Sequence, residues 1–388
     1  MNNKRKVPRI LLGAAASGSG KTLLTCGLLQ ALKNRNLQVA SFKCGPDYID
    51  PMFHSRVIGT KSRNLDSFFA KEDTLRYLLE KNARDCEISV IEGVMGYYDG
   101  LAGISPKASA YDVARITKTP AVLIVNAKGM SLSAAAFVKG FVEYREDSQI
   151  RGVILNQISP MMYPRLKQII EETLPVKVYG YVPVVKDCVL ESRHLGLMTA
   201  GEVEQLDEKI RLLGETAAET LELSRILELA KTAPPLPDVP QYTAKPKSFR
   251  LGVAQDKAFC FTYAENLELL EQCGAALVYF SPLTDAKLPE NLDGLYFCGG
   301  YPELYLPRLS GNTAFLESLR RLAGTGIPIL GECGGFLYLQ RSMTGKDGKS
   351  YPLAGLLPGT SRLGERLCRF GYVTLTAQQD TILGKAGT

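Results

Sequence analysis

The chain has 388 residues, 45% hydrophobic and 22% charged, with a net charge of +6. Single cores rarely grow beyond roughly 250–300 residues, so two domains are expected. The charge is too mild for a nucleic-acid signature, and no apolar run approaches the ~20 residues that span a bilayer.

The N-terminus, Met1 to Arg9, is polar and basic and leads to no apolar signal-peptide core. The nine cysteines are scattered without a Cys-x-x-Cys pair. A reducing cytoplasm is the simplest setting for them.

Ile10–Leu12 predicts a buried strand. It breaks into Ala15-Ala16-Ser17-Gly18-Ser19-Gly20-Lys21-Thr22, and Leu23, Leu24, Leu28, Ala31 and Leu32 then mark a helix. Strand, glycine loop, Lys-Thr and helix form a phosphate-binding arrangement for a nucleotide, against the plainer reading of a Gly/Ser turn beside a helix. Backbone N–H groups from Ser17 to Gly20 cradle the phosphates, and the helix start adds its dipole. Lys21 reaches the β- and γ-phosphates, and Thr22 ligates Mg²⁺. Ala15 stands where the first glycine of the motif is usual.

Further strand-like runs follow at Val39–Phe42, Ile88–Ile91, Ala121–Val125, Gly152–Leu155 and Val178–Val182, alternating with amphipathic helices. That pattern predicts an α/β domain with a mostly parallel sheet covered on both faces. Its ligands collect at the carboxyl ends of the strands. Lys43 to Pro51 follows the second strand, and Glu92 to Gly100 follows the third. Asp47 and Glu92 are the candidate Mg²⁺ carboxylates, with Asp99 further along a glycine-hinged loop. Asp47 reads equally as a turn residue beside Pro46. Asn126 and Asn156 end later strands, and each reads either as an adenine contact or as a turn asparagine. Glu191-Ser192-Arg193-His194-Leu195-Gly196-Leu197 comes next. His194 reads as a surface or packing residue, and Arg193 either binds a substrate carboxylate or faces water.

Residues 202–231 read as one long helix. The proline-rich stretch 232–249 reads as a linker between a first α/β domain, 1–231, and a second, 250–388. In the latter, strands are expected at Leu251–Ala254, Ala276–Phe280, Leu295–Cys298 and Pro328–Leu330, with a further strand-like run at Arg369–Leu375. Gly331-Glu332-Cys333-Gly334-Gly335 has the form of a nucleophile elbow with sulfur in place of oxygen. A helix start there is expected to lower the thiol pKa. The N–H of Gly334, with one from Gly299-Gly300, is placed to bind an oxyanion. Such a thiolate normally works with histidine, yet the two histidines, His54 and His194, both lie in the first domain.

These segments, with Arg63-Asn64-Leu65-Asp66-Ser67-Phe68, Gly299-Gly300-Tyr301-Pro302-Glu303-Leu304-Tyr305 and Arg369-Phe370-Gly371-Tyr372, closely resemble the cobyrinate a,c-diamide synthase family over essentially the whole chain. The resemblance implies a dethiobiotin-synthetase-like P-loop domain followed by a class I glutamine amidotransferase domain. It implies a carbon–nitrogen ligase of cobalamin biosynthesis. ATP and Mg²⁺ phosphorylate the c- and then the a-acetate carboxylate of a corrinoid, and ammonia displaces the phosphate. Cys333 is the implied glutaminase nucleophile, with Gly300 and Gly334 at the oxyanion. Thr22, Asp47 and Glu92 serve the metal, Asn156 faces adenine, and Tyr48 and Asp99 face the tetrapyrrole. Nickel-sirohydrochlorin and hydrogenobyrinate a,c-diamide synthases are the alternatives, then cobyric acid synthase. A MinD/ParA-like switch ATPase ranks below them, since that group usually carries a second lysine where this chain has Ala16. Soluble substrates, no nucleic acid, no membrane and a homodimer are the expected partners. Family members carry the glutaminase histidine in a Ser-Tyr-x-His segment beyond the point matching Thr388, so the chain reads as a member shortened at its C-terminus.

Overall fold

The computed structural model describes residues 6–59, 61–185, 188, 192–193, 196–197, 203, 205–237, 242–364, 371–381 and 384–388. The chain divides into two compact units, Met1–Gln241 and Tyr242–Thr388.

The first unit runs β1 (Arg9–Ala14), α1 (Lys21–Asn34), β2 (Val39–Cys44), α2 (Ile49–Ile58), β3 (Arg63–Leu65), α3 (Glu72–Ala83) and β4 (Ile88–Glu92). It continues through α4 (Ala110–Thr117), β5 (Ala121–Asn126), α5 (Ser133–Glu143), β6 (Ile150–Asn156), α6 (Tyr163–Thr173) and β7 (Lys177–Val182). A two-stranded ribbon of β8 (Ser192–Arg193) and β9 (Gly196–Leu197) precedes α7 (Leu206–Thr220) and α8 (Leu223–Lys231). Strands β1 to β7 form one sheet in the order β3-β2-β4-β1-β5-β6-β7. Every pairing in it is parallel. The expected mostly parallel architecture is therefore present. All six residues of β1 are buried, because a parallel sheet covered by helices on both faces hides its central strands completely.

Register decides what meets at the carboxyl edge. Glu92 pairs with Leu12 on one side and Lys43 on the other. Asn126 and Asn156 end adjacent strands in register. At the opposite edge, the wholly buried Arg9 guanidinium donates to Thr119 Oγ1 (3.1 Å) and to the carbonyls of Val7 (2.8 Å), Thr117 (2.7 Å) and Pro234 (2.8 Å). It ties the chain beyond α8 to the central strand.

The single helix expected over 202–231 is two helices. Leu221 leaves helical geometry (φ −102°, ψ 142°) and bridges Gly180, while the Glu222 N–H donates to the Tyr179 carbonyl at 2.8 Å. The chain adds one strand-like contact to the sheet edge, which interrupts the periodic pattern.

The second unit contains β10 (Phe249–Ala254), α9 (Ala264–Gln272), β11 (Ala275–Phe280), β12 (Gly294–Phe297), α10 (Leu306–Gly311), α11 (Thr313–Ala323), β13 (Ile329–Gly331) and α12 (Gly334–Leu339). Strands β14 (Gln340–Thr344), β15 (Ser350–Pro352) and β16 (Leu357–Arg362) follow. A parallel sheet has the order β11-β10-β12-β13, and a separate small sheet has the order β15-β14-β16. Phe259, Phe280, Phe297, Phe315 and Tyr338 fill the core, with edge-on ring contacts such as Phe259–Tyr338 at 5.3 Å. Of the strand-like run Arg369–Leu375, residues 369–370 lie outside the described residues and 371–375 form no strand. Among the described residues no helix is long and apolar enough to cross a membrane.

Candidate functional site

The loop between β1 and α1 borders a cavity of about 700 Å³ at the carboxyl edge of the first sheet. Gly18 and Gly20 hold positive φ, 76° and 85°, while Ala15 does not. An alanine therefore serves where the motif usually has its first glycine. A Cβ on Gly20 would lie 2.7 Å from Asn156 Nδ2, so only glycine fits there. Ser17, Gly18, Gly20, Lys21 and Thr22 line the cavity, and Ser19 Oγ donates back to the Ala16 carbonyl at 2.8 Å. Lys21 Nζ is folded onto the carbonyls of Ala16 (3.0 Å) and Met95 (2.6 Å). Burial, helped by nearby Lys43, lowers its ammonium to about 8.

Behind the loop lies a buried charged cluster. Lys43 Nζ donates to Glu92 Oε1 (2.8 Å), Asp50 Oδ2 (2.5 Å) and the Gly93 carbonyl (3.2 Å). Thr22 Oγ1 donates to Glu92 Oε1 at 2.9 Å, and His54 Nε2 meets Glu92 Oε2 at 2.7 Å. Burial alone would push Glu92 up, but Lys43 and His54 hold its carboxyl well below the usual range. Lys43 is raised above the ordinary lysine value: burial opposes its charge, and Glu92 and Asp50 outweigh burial. Burial raises Asp50. Lys43, Asp50 and His54 join the site although no motif marks them. The available signal was a lysine closing a buried strand, a position that demands a carboxylate partner.

Asp47 Oδ1 accepts the N–H groups of Ile49 (2.8 Å) and Asp50 (3.2 Å) and so caps α2. Its Oδ2 has no hydrogen-bond partner among the described residues, and Asp47 lines the cavity. Among the described residues no cluster of three His, Cys, Asp or Glu forms a cage for a metal ion. An ion shared with phosphate needs fewer protein ligands. The Thr22 hydroxyl spends its proton on Glu92 and keeps its lone pairs, so Thr22 and Asp47 both retain oxygen donors that suit Mg²⁺.

Asn126 is exposed and its Oδ1 accepts from the Lys128 N–H at 3.2 Å, which is a turn role. Asn156 is buried at the cavity wall, and its Nδ2 donates to the Ser19 carbonyl at 3.0 Å. Tyr48 is half-buried at the start of α2. Asp99 Oδ2 accepts the Gly96 N–H at 3.1 Å. A Cβ on Gly96 would lie 2.5 Å from the Ala15 carbonyl, so this loop packs directly on the phosphate loop. Asp99 also lines a second cavity, of about 530 Å³, with Tyr98, Phe137, Phe141, Tyr144 and Arg145. His194 lies outside the described residues, as does the Arg193 side chain.

In the second unit Cys333 sits between β13 and α12 with φ 50° and ψ −115°, the strained elbow geometry. The N–H groups of Gly334 and Gly300 lie beside its sulfur and favour the thiolate. The loops of Gly300 and Gly334 abut, since a Cβ on Gly334 would lie 3.1 Å from the Gly300 nitrogen. The expected lowering of the thiol pKa does not hold. Although Cys333 is exposed as a residue, the atoms packed around its sulfur strip water from it and raise it above the ordinary value, against the pull of those two N–H groups. The helix that follows has only six residues, so its dipole contributes little. The Tyr296 hydroxyl donates to Glu332 Oε1 at 2.6 Å and fixes the residue before the cysteine.

Comparison with known proteins adds sequence evidence to this geometry. Residues 10–196 match the model of the CobQ/CobB/MinD/ParA nucleotide binding domain. Residues 250–384 match that of the CobB/CobQ-like glutamine amidotransferase domain. The chain is 40% identical over 387 residues to a cobyrinate a,c-diamide synthase of Dehalococcoides mccartyi strain CBDB1, covering 98% of this chain and 84% of that protein. It is 41% identical over 388 residues to the enzyme of that name from Listeria monocytogenes serovar 1/2a, with the same coverage. To that of Thermoplasma volcanium it is 39% identical over 384 residues, again covering 98% and 84%.

Proposed function

The chain belongs to the cobyrinate a,c-diamide synthase family, and from that premise we propose that it amidates the a- and c-acetate side chains of a corrinoid at the expense of ATP. The observation that carries this reading is one cavity at the carboxyl edge of β1, β2 and β4. Into it face Lys21, Thr22, Lys43, Asp47 and Glu92. Phosphoryl transfer needs little covalent chemistry from a protein, but it needs anion-binding N–H groups and cations fixed in place.

The loop N–H groups and Lys21 hold the β- and γ-phosphates. Asn156, beside the loop, faces the adenine. Thr22 and Asp47 are the residues that would hold Mg²⁺, and Glu92, expected as a ligand, would act from behind Thr22 because its two oxygens already accept from Thr22, Lys43 and His54; the ion would supply charge neutralisation at the phosphates. A substrate carboxylate oxygen attacks the γ-phosphorus and ADP leaves. Lys43 gives the resulting acyl phosphate a second buried cation. Ammonia then attacks the acyl carbon, phosphate departs, and the nitrogen loses a proton to give the amide. Tyr48 and Asp99 face the macrocycle, and the aromatic cavity beside Asp99 supports that placement with apolar surface suited to a tetrapyrrole.

Ammonia comes from glutamine at the second unit. Cys333 sulfur attacks the side-chain amide carbon, and the N–H groups of Gly300 and Gly334 take the oxyanion. Ammonia leaves, and water hydrolyses the glutamyl thioester. The first domain is assigned to 1–231, the linker to 232–249 and the amidotransferase domain to 250–388. A cytoplasmic homodimer is the assembly we expect, which sedimentation tests.

The test is amidation of cobyrinate with ATP and Mg²⁺, with glutamine in one arm and ammonium in the other, products resolved by mass spectrometry. Monoamide and diamide in the ammonium arm support the synthetase reading. No amide in either arm, from folded protein, overturns it for cobyrinate, and the nickel and metal-free macrocycles are then assayed.

A further inference from the structure

Glu92 is wholly buried, and its two oxygens are held differently. Oε1 serves the site: it accepts from Thr22 and Lys43. Oε2 is taken by His54, whose ring is also wholly buried, with Nε2 at 2.7 Å. A carboxylate only accepts, so Nε2 carries the proton of this bond. On the far side of the ring, Nδ1 lies 3.4 Å from Ser62 Oγ. Ser62 is itself anchored: its Oγ reaches the Ser41 carbonyl at 3.1 Å on β2, and its N–H donates to Ser55 Oγ at 2.8 Å on α2. The imidazole is thus held at Nε2, with the anchored Ser62 hydroxyl set against Nδ1.

Burying an imidazole and a carboxylate together gives little net stability, because both lose water. The pair does something else well. It fixes the rotation of the Glu92 carboxyl group, so that Oε1 points at Thr22. Without His54, Oε2 would be a buried acceptor with no donor, and the carboxyl group would turn to find one. We propose that His54 is the positioning residue of the metal–nucleotide site, holding Glu92 so that Thr22 presents its lone pairs to Mg²⁺. This rests on the reading of Thr22 and Glu92 given above. Partners of this kind, one bond behind a ligand, change metal affinity by about 10–100-fold when removed.

The test compares two amides. His54→Gln carries its amide nitrogen near the Nε2 position and reaches Glu92. His54→Asn carries it near Nδ1 and reaches only Ser62. Both keep a polar group in the pocket. Binding of a non-hydrolysable ATP analogue to the full chain is measured by calorimetry across a series of Mg²⁺ concentrations. Half-maximal binding in His54→Asn is expected to need about 10–100-fold more Mg²⁺ than in the wild type. His54→Gln should recover most of that loss, and the residual affinity without Mg²⁺ should be equal in all three. A wild-type Mg²⁺ requirement in His54→Asn overturns the proposal. So does a loss in His54→Gln as large as in His54→Asn, since that marks a packing role. If His54→Asn does not fold, Ser62→Ala decides: it frees the ring at Nδ1 and should raise the Mg²⁺ requirement about threefold, and no change overturns the proposal. The measurement uses neither corrinoid nor glutamine. A wild type that binds the analogue with Mg²⁺ but makes no amide defeats the substrate assignment and leaves this one standing. A wild type that binds no analogue defeats both.

Discussion

Thr22 Oγ1 lies 2.9 Å from Glu92 Oε1, so the second residue of α1 and the last residue of β4 share a hydrogen bond at the mouth of the first sheet. The contact spans 70 positions of sequence and depends on β1 and β4 being neighbours. Around it the phosphate loop, the buried lysine and the histidine are assembled.

Lys21→Ala should remove amidation from both nitrogen sources. The lysine is the loop's own cation, and loss of a single fixed donor at a developing charge costs about 10²–10³-fold in rate. Steady-state ADP release with ammonium as donor checks it, and an undiminished rate would count against the phosphate-loop assignment.

Cys333→Ala should behave oppositely with the two nitrogen sources. The elbow touches only ammonia supply, so ammonium-dependent amidation should stay within about twofold of the wild type, while whatever amidation the wild type draws from glutamine disappears. Parallel assays of the variant with each donor give the answer. Loss of the ammonium activity in a folded variant would sink the division of labour between the two units.

The raised Cys333 thiol predicts how it alkylates. Only the thiolate reacts. Because burial favours the neutral thiol, the fraction ionised near neutral pH is smaller than for a free cysteine. The iodoacetamide rate at Cys333, read by peptide mass spectrometry, should climb with pH and reach its midpoint above the ordinary value of 9.0. A Cys333 midpoint below 9.0 would contradict the structure.

Arg9→Ala should cost about 3 kcal/mol of stability, since it strands several buried acceptors at once. Burial lowers the guanidinium only to about 10, so it stays charged at neutral pH. The urea midpoint of the full chain measures the effect. Kinetics with saturating ATP should stay near wild type, because Arg9 lies at the edge of the sheet away from the cavity.

What could be read from sequence was what is contiguous. Residues 9–22 and 329–339 each fold as a strand, a tight loop and the start of a helix, so a short window holds the whole device. The Lys43–Asp50–His54–Glu92 cluster was invisible because strand register alone brings Lys43 opposite Glu92. Asn126 and Asn156 look alike as strand-ending amides and even lie in register. Only packing separates the one that makes a turn from the one that touches Ser19. The break at Leu221 was hidden for the same reason, since its cause is a bridge to Gly180 on another element.

One feature of the phosphate loop governs more than the loop. Lys21 binds the carbonyls of Ala16 and Met95, which makes it a latch between two segments that carry different duties. A phosphate that draws the ammonium away leaves both carbonyls without that donor. Nucleotide affinity is then a difference between two sets of hydrogen bonds, not the sum of the new one. The segment bearing Asp99 loses a tether at the moment the nucleotide is seated. Occupancy at one end of the site therefore bears on the other, through the single Lys21 side chain that both share.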